Sequence, residues 1–328
     1  MGDSGAVGIG VIGAGVMGQR LMGAAAGQGA ARVVGAWDPS AEALAAASRA
    51  GVGAMQSAEQ VIAASECVYI ATPPATHLHY ARMALAAGRA VFLEKPLAVD
   101  VDDAAAFVAG LSGARAAVNF PFATAPAVEA LRGWLDAGTC GAPRGFVADM
   151  QFRAWPRPWQ QAAAPWLDAP AEGGFVREVA SHFLFLARRV LGPLNLRSSE
   201  VERAPNGTER RVAARLDAGG LPGRLTGAVA GDADDHNTFL IRGVADIRLR
   251  DWSVPERQRP NGAWVPDPGA LPVAENRTVV LHRQLAAVAA MTRGEPHPLA
   301  TCGEAFEVQR VVEAILSGAG APGPARAE

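Results

Sequence analysis

Thirty side chains of this 328-residue chain are Lys or Arg, and only one of them, Lys95, is a lysine. An ammonium is a compact charge on a flexible stem whose pKa can shift, whereas a guanidinium is planar and permanently charged. A chain that uses arginine for every other cation keeps in Lys95 a group able to steady a developing negative oxygen or relay a proton. The plainer alternative is the chance survival of one surface lysine. Lys95 stands in Glu94-Lys95-Pro96, directly after the apolar run Ala90 to Leu93. A second pair is Glu178 and His182, four apart within a helix predicted from Phe175 to Leu191, so that they share a face. A carboxylate there can hold the imidazole in one tautomer, and histidine is the natural acid/base near neutral pH. The alternative is a histidine packed in an amphipathic helix beside a surface ion pair.

The third constellation is Gly13-Ala14-Gly15-Val16-Met17-Gly18, between a predicted strand, Val7 to Ile12, and a predicted helix, Val16 to Gln28. In that context the first glycine permits a tight turn, the second a close approach to a pyrophosphate, and the third close helix–strand packing. Free N–H groups at the helix start face the anion. Asp38 ends the second predicted strand, 20 residues after Gly18. A carboxylate there accepts hydrogen bonds from the adenosine ribose and repels a 2′-phosphate, which favours NAD and leaves NADP as the alternative cofactor. A helix cap through Asp38-Pro39-Ser40 is the structural alternative.

The elements that must position these groups alternate over the first third of the chain. Strands are predicted at Val7 to Ile12, Val33 to Trp37, Cys67 to Ala71, Ala90 to Leu93 and Ala114 to Val118, with helices at Val16 to Gln28, Ala41 to Ala50, Thr76 to Ala87 and Val99 to Gly110. That alternation is the signature of a doubly wound parallel sheet. After Asn119-Phe120-Pro121 the pattern changes to a helix from Ala125 to Ala137, a strand from Arg144 to Phe152 and a Pro- and Trp-rich loop over 153–173. Half-apolar runs from Leu196 to Asp251, separated by turn residues, suggest an antiparallel meander, and helices Arg277 to Thr292 and Gly303 to Ser317 close the fold. The expected class is α/β plus α+β, with a dinucleotide-binding domain at 1–121 and a substrate and oligomerisation domain at 122–328.

Composition excludes several functions. A net charge of −2 gives no basic field for nucleic acid, and no Lys/Arg run marks a membrane surface. Ser4 to Gln19 is uncharged but glycine-rich, follows Asp3 and lacks a basic leader region, so it reads as structure. Ala6 stands where a myristoylation signal has Ser or Thr. Cys67, Cys140 and Cys302 are far apart, without C-x-x-C spacing, which fits a reducing cytoplasm. His236 beside Asp232, Asp234 and Asp235 reads as a solvated acidic turn, and no metal is expected.

The glycine loop with Asp38, the segment Ala71-Thr72-Pro73-Pro74-Ala75-Thr76-His77, Glu94-Lys95-Pro96, and Gly173-Gly174 leading to Glu178-x-x-x-His182 occur in one order. On these motifs the chain, from Gly8 to about Ser317, resembles the Gfo/Idh/MocA oxidoreductases. The resemblance implies a Rossmann domain followed by an open, mostly antiparallel sheet with helices on one face. The outer face of that sheet commonly makes a homodimer or homotetramer. It also implies that Lys95 lies near the nicotinamide and the reacting oxygen, that Thr72, Pro73, Pro74 and His77 line the cofactor wall, and that Lys95-Pro96 is cis. His77 and His79 read equally well as helix-surface residues. For Glu94, an ion pair or ribose contact is preferred to catalysis.

The chain departs from the family's usual Asp-x-Gly-x-His-x-x-Asp at three positions, carrying Glu178, Ala180 and Phe185. Phe185 weakens the case for a highly hydroxylated substrate. Arg177 is a candidate partner for an acidic substrate group or a surface ion pair. Trp155, Trp159 and Trp166, near Arg153 and Arg157, could cover the site, with indole faces stacking on a ring and an arginine taking an acid group, or could simply pin a Pro-rich loop. The expected function is NAD(P)-dependent hydride transfer to or from a carbonyl or alcohol carbon of a small cyclic sugar- or cyclitol-like substrate. Alternatives are reduction of a C=N or C=C bond in a less polar ring, and a non-catalytic dinucleotide-binding regulator.

Overall fold

The strand Val7–Ile12 (β1) is buried along its whole length, so both its faces must be covered. The computed structural model describes residues 5–231 and 235–318. The chain forms two compact units, one of residues up to Thr124 together with Arg277–Phe306, the other of Ala125–Asn276 with the residues from Glu307 onward.

In the first unit β1 is followed by α1 (Val16–Ala25), β2 (Ala31–Trp37), α2 (Ala41–Arg49), α3 (Ala58–Ala64), β3 (Cys67–Ile70), α4 (His77–Ala86), β4 (Ala90–Leu93), α5 (Val101–Ala109) and β5 (Ala116–Val118). The second unit begins with α6 (Pro126–Asp136) and β6 (Gly145–Phe152), then α7 (Ala164–Leu167). A π-turn over Val176–Ala180 runs into α8 (Ser181–Leu191). Strands β7 (Leu194–Arg203), β8 (Glu209–Ala218), β9 (Leu221–Val229), β10 (His236–Arg242), β11 (Ile247–Arg250), β12 (Val254–Gln258) and β13 (Trp264–Pro266) follow. Last come α9 (Val273–Arg293), β14 (Ala300–Thr301) and α10 (Cys302–Ser317).

The first sheet has the order β14-β5-β4-β3-β1-β2, with β1 to β5 parallel and β14 antiparallel to β5. Strand order reverses between β1 and β3, and the crevice outside the carboxyl ends of the strands at that point is where such sheets bind ligands. Helix starts are fixed locally: the Ser40 hydroxyl accepts from Ala43 N–H, and the Asp100 carboxylate accepts from Asp102 and Asp103. Tyr69, Phe92, Ile9, Ile70 and Leu93 fill the fully buried core. The thiols belong to cores rather than to chemistry: burial pushes Cys67 and Cys302 up to about 12, and Cys140 is raised for the same reason.

The second sheet has the order β13-β12-β11-β10-β6-β9-β8-β7. Its strands alternate buried and open positions, as along β8, because only one face packs on helices. The run from Leu196 to Asp251 is not a plain meander, since β6 inserts between β10 and β9 and pairs with β9 in parallel. The stretch 153–173 is also more ordered than a loop, carrying a 3₁₀ turn at Pro158–Ala163 and then α7. Helix α3 was not among the expected elements. Among the described residues no helix is long and apolar enough to cross a membrane.

Candidate functional site

The glycine loop closes β1 onto α1. Gly13 has φ +97°, a conformation that L side chains rarely adopt, and a Cβ at Gly18 would lie 2.1 Å from the Gly13 carbonyl oxygen. Around Gly15 a Cβ would meet nothing within 4 Å, so the backbone there is open to an approaching group. No side chain caps the start of α1, leaving its first N–H groups for an anion. Asp38 is tied into the same loop: its Oδ2 accepts from Ala14 N–H at 2.8 Å, and its Oδ1 accepts from Ser40 N–H at 2.8 Å. The cap of α2 is thus Ser40 and not Asp38, which holds the N–H of that capping residue and keeps a second lone pair on each oxygen for a ribose hydroxyl.

Lys95 is half-buried just past the carboxyl end of β4, and both of its neighbours are anchored. Glu94 Oε1 accepts from the Tyr69 hydroxyl and, at 2.7 Å, from Asn119 Nδ2, and Gln284 in turn donates to Asn119. Burial and the adjacent Glu94 charge hold the Tyr69 hydroxyl well above its ordinary pKa, so it stays a donor. On the other side the Pro96 carbonyl lies 2.8 Å from His77 Nδ1, and the Thr72 carbonyl lies 2.8 Å from His77 Nε2. His77 is fully buried, and burial pushes its pKa down. It bridges the turn after β3 to the turn after β4 rather than presenting a ring at the surface. Lys95-Pro96 is cis, as is Trp155-Pro156. Thr72 is half-buried with its hydroxyl 2.8 Å from Thr76, Pro73 is exposed and Pro74 buried, and His79 is exposed against Tyr80.

In the second unit the π-turn carries Glu178 and α8 begins at Ser181, so His182 sits in the first turn of α8. A single π-turn within a helix is a frequent mark of a functional site. His182 is 8% exposed. Glu178 Oε1 lies 3.4 Å from Gln160 Nε2 and 3.9 Å from Arg157 Nη2. Arg157 is itself buried, donating to Gln160 at 2.8 Å and to Asp235 at 2.7 Å, with its guanidinium 4.7 Å from the Trp159 ring and 5.6 Å from the Trp155 ring. Trp155 is buried and donates to the Leu167 carbonyl at 3.1 Å, while Trp159 and Trp166 are 52% and 37% exposed. Arg153 is exposed. Arg177 forms two 2.7 Å bonds to Glu313 and donates to the Pro170 and Gly173 carbonyls, which is the ion-pair alternative for that residue. Phe185 is fully buried, with Arg189 over its ring at 5.0 Å.

Residues 7–119 match the family model GFO_IDH_MocA, described as "Oxidoreductase family, NAD-binding Rossmann fold". That match covers about a third of the chain, all of it in the first unit, and there the chain is similar to the Gfo/Idh/MocA oxidoreductases. No curated protein matches the chain in sequence. Among solved structures, an oxidoreductase from Agrobacterium radiobacter in complex with NAD+, L-tartaric acid and magnesium is similar at TM-score 0.81 and 20% identity, covering 95% of this chain and 96% of that one. A levoglucosan dehydrogenase in complex with NADH is similar at TM-score 0.80 and 19% identity over 96% of this chain and 97% of that one. UDP-N-acetylglucosamine 3-dehydrogenase from Acidithiobacillus ferrooxidans is similar at TM-score 0.76 and 19% identity, covering 95% and 97%. These likenesses show that the fold of both units is the one such oxidoreductases use.

In the second unit the structure adds residues that spacing did not reveal. Glu209, 1% exposed at the start of β8, accepts from Val176 N–H at 2.9 Å, capping the helix that carries Glu178 and His182. Gly174 has φ +94° and runs against the same carboxylate, where a Cβ would lie 2.2 Å from Oε1. Replacing Glu209 with Ala strands a buried donor and is expected to lower stability by about 2 kcal/mol in urea unfolding, with Glu209→Gln recovering part of the loss. The turn between β11 and β12 holds two consecutive non-glycine residues at positive φ, Asp251 at 47° and Trp252 at 71°. Each such residue costs about 1–3 kcal/mol. Among the described residues no group of three His, Cys, Asp or Glu is placed to hold a metal; His236 Nδ1 instead lies 3.0 Å from Asp251, and Asp232 and Asp234 lie outside the described residues.

Proposed function

We propose that the protein is an NAD(H)-dependent oxidoreductase acting on a small cyclic sugar- or cyclitol-like substrate, at a carbonyl or alcohol carbon. The observation that carries this reading is the Asp38 carboxylate bonded into an uncapped glycine loop at the start of α1. The loop N–H groups would hold the pyrophosphate, and Asp38 the adenosine ribose hydroxyls. When bound, the nicotinamide would supply or accept the hydride.

The chain's own residues do the rest. Lys95, fixed through Glu94 and Pro96, stabilises negative charge on the substrate oxygen. His182 gives or takes the hydroxyl proton, and Glu178, four residues earlier, orients that histidine. The levoglucosan and UDP-N-acetylglucosamine dehydrogenases of like fold act on ring sugars, which supports the substrate class. The test is a screen of sugars, cyclitols and cyclic imines, followed by nicotinamide absorbance. Oxidation of a hydroxylated ring with NAD is expected. Reduction of imines alone, with every polyol untouched, would overturn the substrate class.

A further inference from the structure

The strained turn between β11 and β12 is held from several sides. Asp251 N–H donates to the Asn237 carbonyl at 2.9 Å, and its carboxylate meets His236 Nδ1 at 3.0 Å and Arg250 Nη1 at 3.0 Å. Ser253, the next residue after Trp252, is buried, and its N–H donates to the Arg250 carbonyl at 3.3 Å. A bulky residue in the left-handed region is a genuine outlier, and such strain persists where the surroundings over-determine it. The side chain delivered by this backbone is an indole whose centroid lies 5.4 Å from the His182 ring at 74°, and 5.1 Å from the Phe183 ring. Aromatic rings at this separation and angle attract edge to face. Turning the imidazole about its own axis would break that contact.

From this geometry we infer that Trp252 is a positioning residue for His182, its indole fixing the plane of the imidazole that exchanges the substrate proton. The catalytic part of the inference rests on the proposed role of His182, whereas the ring contact does not. An asparagine or glycine would take the left-handed turn with less strain, so the turn favours a backbone the ring alone makes useful. Fixing a proton-transfer group matters because a misplacement of about 1 Å can cost about 100-fold in rate.

The test uses protein labelled with ¹³C in its histidine rings, with the His182 signals assigned by their loss in His182→Gln. In Trp252→Gly, which suits φ 71°, the His182 ring signals are expected to leave their ring-current-shifted positions and broaden, while those of Trp252→Phe stay close to wild type. Turnover in Trp252→Gly is expected to fall about 10- to 100-fold in kcat with KM little changed, and Trp252→Phe to restore most of it. Should Trp252→Gly not fold, Trp252→Leu, which keeps apolar bulk without a ring, carries the same test. Unmoved His182 signals, or moved signals with unchanged kcat, would overturn the inference. Full turnover in His182→Gln would instead sink the proposed role of the histidine and leave the ring contact standing on the spectra.

Discussion

Replacing Lys95 with methionine is expected to lower kcat by about 1,000-fold, roughly 4 kcal/mol of barrier, while NADH affinity stays within a few fold. Methionine keeps an unbranched apolar stem of similar bulk and lacks the ammonium. The backbone that presents it should not move, because Glu94 is held by Tyr69 and Asn119 and Pro96 faces His77. Lys95→Arg is expected to rescue little, since a planar fork cannot occupy the place of a compact ammonium or give up its proton. Steady-state rates beside calorimetric titration with NADH separate the two effects. A kcat within tenfold of wild type in Lys95→Met would remove Lys95 from the chemistry.

The second large effect separates two glycines of one loop. Gly18→Ala forces a methyl against the Gly13 carbonyl, so α1 must shift from β1, and a loss of about 3 kcal/mol in urea unfolding is expected, together with loss of dinucleotide binding. Gly15→Ala places its methyl in open space, and stability is expected to hold. The same methyl stands where the pyrophosphate would approach, so NADH affinity should drop by about tenfold or more, at least 1.4 kcal/mol. If Gly15→Ala bound NADH as well as the wild type does, the phosphate would not sit on this loop.

The first unit was legible because its strands are covered on both faces and so read as short apolar runs, β1 and β4 to the residue. Helix α3 escaped because seven residues hold too little periodicity, although Ser57 accepting from Gln60 N–H, and Gln60 accepting from Gln56 N–H, leave a cap signal in Ser57-x-x-Gln60. The return of Arg277–Phe306 to the first unit has no local signature: β14 is two residues long and pairs with β5 across the chain. The parallel pairing of β6 with β9 is equally non-local.

Among site residues, Lys95 stood out by composition and the glycine loop by its place between strand and helix. Arg157 appeared only as a neighbour of tryptophans, because its partners Gln160, Asp235 and Glu178 lie on three segments. Trp252 gave no sign at all. A left-handed turn normally announces itself by glycine or asparagine, and here an aspartate and a tryptophan occupy it. Glu209 looked like one charge among many until folding buried it under Val176.

The central claim is that Asp38 and the glycine loop bind NAD(H), and calorimetric titration of the purified protein with NAD, NADH, NADP and NADPH tests it most directly. Saturable binding of NAD(H), with NADP(H) weaker by about tenfold or more, is the predicted result. Preference for NADP(H) would contradict the role given to Asp38, and no binding of any of the four would contradict the proposed function itself.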